Sequence, residues 1–248
     1  MAKALKENLN ADALDKIASV LLLCESSLDV ESFKRECAKE LESLELKARV
    51  QHIATHLHKI FPKNFKKTAT ILQQIPEFWK HNQESKSGWF DYASWPIIDY
   101  VGIYGVDEPK ISLELLRKLT HLFSAEFAIR FFLENHFKYT MQTLDSWCDD
   151  KDEHVRRLVS EGTRLRLPWA KQLPILFENI DITLPIVLRL VDDESLYVRK
   201  SVANHLNDLS KTDPERVKML SQKILKNPSK QREWLVKRAM RTLHKQEL

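Results

Sequence analysis

The segment from Val155 to Trp169, VRRLVSEGTRLRLPW, sets a carboxylate among arginines and ends in a tryptophan. On a helix Arg157 and Glu161 are i, i+4 neighbours. Gly162 suits the C-terminus of that helix, where the helix dipole disfavours a carboxylate. Glu161 therefore needs compensation, and Arg157, Arg164 and Arg166 are close in sequence. Two readings stand: a structural ion pair that closes a turn, or an anion held by arginines that also face a phosphodiester. Pro168 and Trp169 are read as opening the next helix. Core packing is the commoner fate of such an indole.

Further along, SVANHLNDLS carries Asn204 and Asp208 at i, i+4 on one helix face, with His205 between them. Asn204 reads as a structural bracket between repeats, whereas pattern alone does not decide Asp208. Glu126 follows Ser124, a plausible N-cap, and a carboxylate is favourable in a first helical turn for that reason alone. His52 and His56 are spaced to share a metal, but no Glu follows His52 as in zinc proteases and no acidic ligand is near in sequence. No metal and no cofactor are expected. Serine-hydrolase, nucleotide-loop, dinucleotide-fold and CxxC motifs are absent from the sequence.

The elements that must position these residues read as helices. Leu14, Ile17, Ala18 and Leu21 lie on one helical face, as do Leu46, Val50, Ile53, Ala54 and Leu57, and then Leu113, Leu116, Leu119 and Phe123. Gly is scarce, at 4 residues against 9 Pro, and no stretch alternates with the strand period. Asp149-Asp150 through Val155-Arg156-Arg157 recurs as Asp192-Asp193 through Val198-Arg199-Lys200, 43 residues on, with a weaker copy from Pro228 through Lys237-Arg238. A period of about 40–47 residues with two helices per unit marks HEAT repeats. The expectation is an all-α, HEAT-like α-solenoid: a curved right-handed superhelix of antiparallel helix pairs. It forms one domain over 1–248, with an N-terminal cap near 1–80 and repeats from about 90 to 245. The aspartate pair should cap each following helix. The recurring basic step should form a stripe of Arg157, Arg199, Lys200, Lys237 and Arg238. Lys80 to Trp95 reads as a linker ending in an aromatic cluster, Trp89, Phe90, Tyr92 and Trp95, taken as packing.

Lys and Arg number 39 against 35 Asp and Glu, a net charge of +4 that permits a nucleic-acid partner without demanding one. Three cysteines at unrelated spacings give no disulfide framework and fit a reducing, cytoplasmic location. No secretory signal is recognisable, no apolar run is long enough to span a membrane, and the final KQEL reads as chance.

Glu126-Phe-Ala-Ile-Arg130, Arg157 through Trp169, and Leu196 through Asp208 resemble the AlkC family of alkylpurine DNA glycosylases, which is related to the AlkD HEAT-like glycosylases. The resemblance runs from about Leu44 to Leu243. It implies action on double-stranded DNA, removing cationic lesions such as 3-methyladenine and 3-methylcytosine without fully flipping the base; a monomer is expected. By the same motifs, Glu126, Glu161 and Asp208 match the acids around the scissile bond. Arg157, Arg164 and Trp169 match residues that engage DNA near the lesion, and Arg166 lies beside them. Phe131 and Leu165 stand where the family pattern suggests proline. The length suggests a shorter branch, without the immunoglobulin-like domain that some members add. A non-catalytic DNA-structure binder is the alternative.

Overall fold

A computed structural model describes residues 4–79 and 91–246. The described residues form helices and turns with no strand, as the all-α expectation requires. No helix among them is long and apolar enough to cross a membrane. The chain divides into two compact units, Met1–Asn135 and His136–Leu248. Most of the segment read as a linker, including Trp89 and Phe90, lies outside the described residues.

In the first unit, α1 (Ala11–Cys24), α2 (Val30–Leu41) and α3 (Leu46–Ile60) pack in succession, followed by α4 (Phe65–Leu72) and the short α5 (Ile75–Phe78). Asn10, Asp29 and Asn64 cap α1, α2 and α4 by accepting first-turn backbone N–H groups. Helix α6 (Trp95–Tyr104) lies against α3 and precedes α7 (Pro109–Leu119) and α8 (Ile129–Asn135). Trp95 is fully buried, stacked on Phe123 and Phe127 at 4.7 and 5.0 Å, so this aromatic is core. A Cβ on Gly102 would sit 2.8 Å from Cδ2 of Phe131 and 3.0 Å from Cα of Ala128, so only glycine allows this approach of α6 to the start of α8.

The second unit runs through α9 (Phe137–Trp147), α10 (Glu153–Gly162), α11 (Pro174–Glu178), α12 (Leu184–Arg189), α13 (Leu196–Ser210), α14 (Pro214–Ile224), α15 (Lys230–Ala239) and α16 (Arg241–Gln246). Helix α13 packs against α10 on one side and α15 on the other, which are the repeat contacts that the 43-residue offset predicts. The caps differ from expectation. Asp152, Ser195 and Ser229 cap α10, α13 and α15, while Asp150 and Asp193 accept from the backbone N–H of Asp152 and Ser195 at 2.9 and 2.8 Å. The aspartate pair thus shapes the turn before the cap, as a side chain bonding the backbone two residues on.

The recurring arginine belongs to the same turn. Nη1 of Arg156 donates to the carbonyls of Asp150 and Lys151, and Nη1 of Arg199 to those of Asp193 and Glu194. Arg156 also reaches across to the next repeat, binding Asp193 through Nε and Nη2 at 2.7 and 3.0 Å. The basic step therefore recurs chiefly because each turn needs a guanidinium to close its carbonyls.

Candidate active site

Glu161 is in the last turn of α10 and is buried, at 5% exposure. Its Oε1 accepts from Nη1 of Arg164 at 2.5 Å and lies 3.7 Å from Nη2 of Arg157. Its Oε2 accepts from the Ser201 hydroxyl on α13 at 2.6 Å. Arg164 lies just past the helix end, where the chain leaves α10 and can fold its side chain back. Its Nε donates to Oδ2 of Asp208 at 2.8 Å, so one guanidinium joins the two carboxylates. Asp208, on α13, is 2% exposed, and Lys211 approaches its Oδ1 at 3.4 Å. Arg157, Arg164 and Lys211 thus surround Glu161 and Asp208.

Burial pushes the Glu161 carboxyl up. Arg157, Arg164 and the Ser201 hydroxyl outweigh it, and the group ends below the ordinary value for glutamate. Crowded carboxylates ordinarily hinder one another's ionisation, but here the arginines reverse that expectation for Glu161. Burial lowers the His205 imidazole beneath them. Its Nδ1 faces the Ser160 carbonyl and must carry the proton, which leaves Nε2 to accept from the Thr183 hydroxyl, each at 3.0 Å. Ser201, His205 and Asp208 share one face of α13 at i, i+4 and i+7. That polar stripe on a buried face was the sequence signal for Ser201, which spacing around Glu161 alone missed.

Trp169 departs from its expected place. No helix starts at Pro168; the chain stays irregular until Pro174 opens α11. Trp169 is 62% exposed and adopts a backbone φ of 62°. A bulky residue there is strained by about 1–3 kcal/mol. The strain holds an indole outward, on the loop that carries Arg164, instead of in the core. Leu165, where the family pattern suggests proline, is buried in the same loop.

The other basic residues separate. Arg157 lies with its guanidinium 4.7 Å from the Tyr197 ring centre. Arg166 reaches Thr212 at 3.4 Å and lies over Phe177, away from Glu161. Lys200 and Lys237 are exposed, and Arg238 is half-buried over Trp234. Arg199, at 8% exposure and with its Nη1 on two carbonyls, is a turn clamp in the manner of Arg156. Asn204 accepts from Arg241 at 3.2 Å, a bracket between repeats as its position suggested.

Glu126 belongs to the first unit. Residues 125–128 form a turn and α8 begins at Ile129, so Ser124 does not cap a helix. Its hydroxyl instead donates to Oε2 of Glu126 at 2.8 Å, and the half-buried carboxylate is held in that turn.

The helical repeats that carry this buried acid pair have a counterpart among known proteins: residues 122–243, just under half of the chain, match the family described as DNA alkylation repair enzyme. Within that class, the chain resembles the AlkC family in sequence and fold. It is 37% identical, with a TM-score of 0.87, to the Pseudomonas fluorescens alkylpurine DNA glycosylase AlkC, solved bound to DNA containing an abasic site analog; the match covers 98% of this chain and 65% of that one. The uncharacterized protein YhaZ of Bacillus subtilis (strain 168) is 39% identical over 202 residues, 82% of this chain and 54% of YhaZ. AlkD2 from Streptococcus mutans shares the fold, with 21% identity and a TM-score of 0.58 over 84% of this chain and 97% of its own. The chain thus spans between about half and two thirds of the length of the first two relatives.

Proposed function

We propose that this chain is a DNA glycosylase that hydrolyses the N-glycosidic bond of cationic alkylated bases, 3-methyladenine and 3-methylcytosine, in double-stranded DNA. It works as a monomer in the cytoplasm, without a cofactor and without full base flipping. The observation that carries this reading is the single guanidinium of Arg164 between Glu161 and Asp208, on the loop that also exposes Trp169. An alkylated base already bears positive charge, so it departs without strong acid assistance. What remains is to stabilise an oxocarbenium-like sugar and to direct a water to it. Carboxylates do both: they attract the cationic sugar, and one accepts the proton of the attacking water. Glu126 serves as a further acid in this scheme.

In the DNA-free protein Arg164 neutralises the pair. A phosphodiester offers that guanidinium a competing acceptor, and its departure leaves the carboxylates facing positive charge on the sugar. Arg157, Arg166, Lys200, Lys237 and Arg238 hold phosphates, which position the duplex without reading its sequence. Trp169 packs against a sugar or base exposed at the lesion.

The alternative is a DNA-structure binder without catalysis. The deep burial of both acids favours it, because a closed ion-pair network also serves stability alone. Single-turnover release of 3-methyladenine separates the two. Asp208→Asn preserves shape and removes charge; release should slow on the order of 100-fold while duplex affinity holds or improves. Glu126→Gln should slow release as well. If wild-type protein binds duplex but releases no base, the binder reading replaces the glycosylase.

A further inference from the structure

Spacing alone left His52 and His56 without a third ligand. The fold supplies it from another helix: one ligand atom each of Cys37 on α2 and of His52 and His56 on α3 lie within 4.8 Å of one another. We propose that these three side chains form a binding site for a divalent cation of the zinc class, tying α2 to α3, with solvent completing a tetrahedral shell.

The imidazoles are already oriented as ligands are. His52 Nε2 faces the carbonyl of Cys37 at 2.9 Å, and His56 Nδ1 faces the carbonyl of His52 at 3.0 Å. A carbonyl only accepts, so each of these nitrogens carries the proton. The other nitrogen of each ring is left with its lone pair. A ring N–H donated to a backbone carbonyl is the second contact that fixes tautomer and orientation in metal-binding histidines. The third histidine, His58, takes no part: it stacks on Tyr104 at 3.9 Å.

A cation already marks the spot. The Lys59 ammonium lies 3.1 Å from His56 Nε2, the nitrogen that holds the lone pair. The same charge acts on the buried Cys37 thiol, opposing the burial that pushes it up to about 12. A metal would take the place of this ammonium, whose long and exposed stem lets it swing into solvent. The thiol proton would pass to bulk water as the thiolate binds. Tetrahedral zinc bonds of about 2.3 Å to sulfur and about 2.0–2.1 Å to nitrogen place ligand atoms roughly 3.4–3.6 Å apart. Ligand atoms that lie within 4.8 Å of one another in the empty site therefore draw together when the ion binds. His52 is half-exposed and gives an entry path, while Cys37 is at 0% exposure and forms the floor. A thiolate with two imidazoles selects a borderline-soft ion over magnesium or calcium.

Cobalt(II) titration of the metal-free full-length chain tests the site. Stoichiometric binding with a thiolate-to-cobalt charge-transfer band is expected, displaced by zinc. Cys37→Ala should abolish the band. Lys59→Met, at an exposed position, removes the competing ammonium and should tighten binding about 10-fold or more. No thiolate band in the wild type, a band that survives Cys37→Ala, or binding no tighter in Lys59→Met would each overturn the proposal. The wild-type spectrum and Lys59→Met decide the matter even where Cys37→Ala does not fold.

Discussion

The two copies of the 43-residue repeat share their turns and part company after the helices those turns start. In the first copy α10 stops at Gly162, ten residues after it begins to climb from its Asp152 cap, and an irregular loop follows. In the second, α13 runs unbroken to Ser210. Glu161 and Asn204 occupy the same position in the two copies, one a carboxylate and the other an amide bound by Arg241. The broken copy gives Arg164 the freedom to turn back between Glu161 and Asp208, and it exposes Trp169. The regular copy supplies the rigid face on which Ser201, His205 and Asp208 stand. Structural repetition builds the support, and the departure from it provides the movable parts.

Removing the shared cation breaks this division of labour most severely. Arg164→Met leaves two buried carboxylates without their common guanidinium, and stability at neutral pH should fall by about 3–5 kcal/mol. Urea unfolding measures this; a loss under about 1 kcal/mol would mean that other groups neutralise the pair.

The turn clamps test what the copies share. Arg156→Met removes a guanidinium bound to two carbonyls and to Asp193, which has only 4% of its side chain exposed. The cost should be about 3 kcal/mol. Arg232 makes a comparable pair with Asp192, but that aspartate is 54% exposed, and breaking the ion pair itself through Asp192→Asn should cost about 1 kcal/mol or less. Equal losses by thermal unfolding would show that burial does not separate the two pairs.

Acid should act on the broken copy in two windows. Burial holds the folded-state value of His205 below its ordinary 6.5. Its contribution is therefore full above pH 6.5 and is lost as pH falls towards the lower folded value. Glu161 is also depressed in the folded state, from 4.5, so its share persists above that pH and disappears as the carboxylate is protonated further down. Glu161→Gln should flatten the second window and, by removing a charge that favours the His205 imidazolium, extend the first one downwards. Unfolding measured across the acid range would contradict this if the lower limb stayed equally steep in the variant.

The smallest effect concerns the exposed indole. Trp169→Asn places a residue that tolerates left-handed backbone at a φ of 62°. Stability should hold or rise by about 1 kcal/mol, while affinity for lesion-containing duplex declines. A clear loss of stability would show that the indole supports the loop instead of projecting from it.

Much of this was legible in residue order. Apolar periodicity located α1, α3 and α7, and the repeated aspartate and arginine steps fixed the register of α10 against α13. The i, i+4 geometry foretold the contact between Arg157 and Glu161. What could not be read was direction. Arg156 and Arg157 are adjacent, yet one turns inward to carbonyls and the other lies over Tyr197, because a helix rotates successive side chains by about 100°. Arg199, in register with Arg156, likewise turns to its own carbonyls. Pro168 resembled a helix start, but the strained Trp169 after it continues the loop, and only Pro174 opens the next helix. Cys37 was invisible to spacing because it reaches His52 and His56 through the packing of one helix on another.

The arginine clamps of the second unit also bear on how the chain folds in time. Each binds carbonyls five or six residues behind it, within its own turn. Such contacts close short loops and need no distant segment to arrive first. The starts of α10 and α13 can therefore organise independently, each nucleating its own helix before the two dock. With two equivalent starting points, loss of one clamp should slow folding less than it accelerates unfolding, because the other copy still offers a route to the native packing.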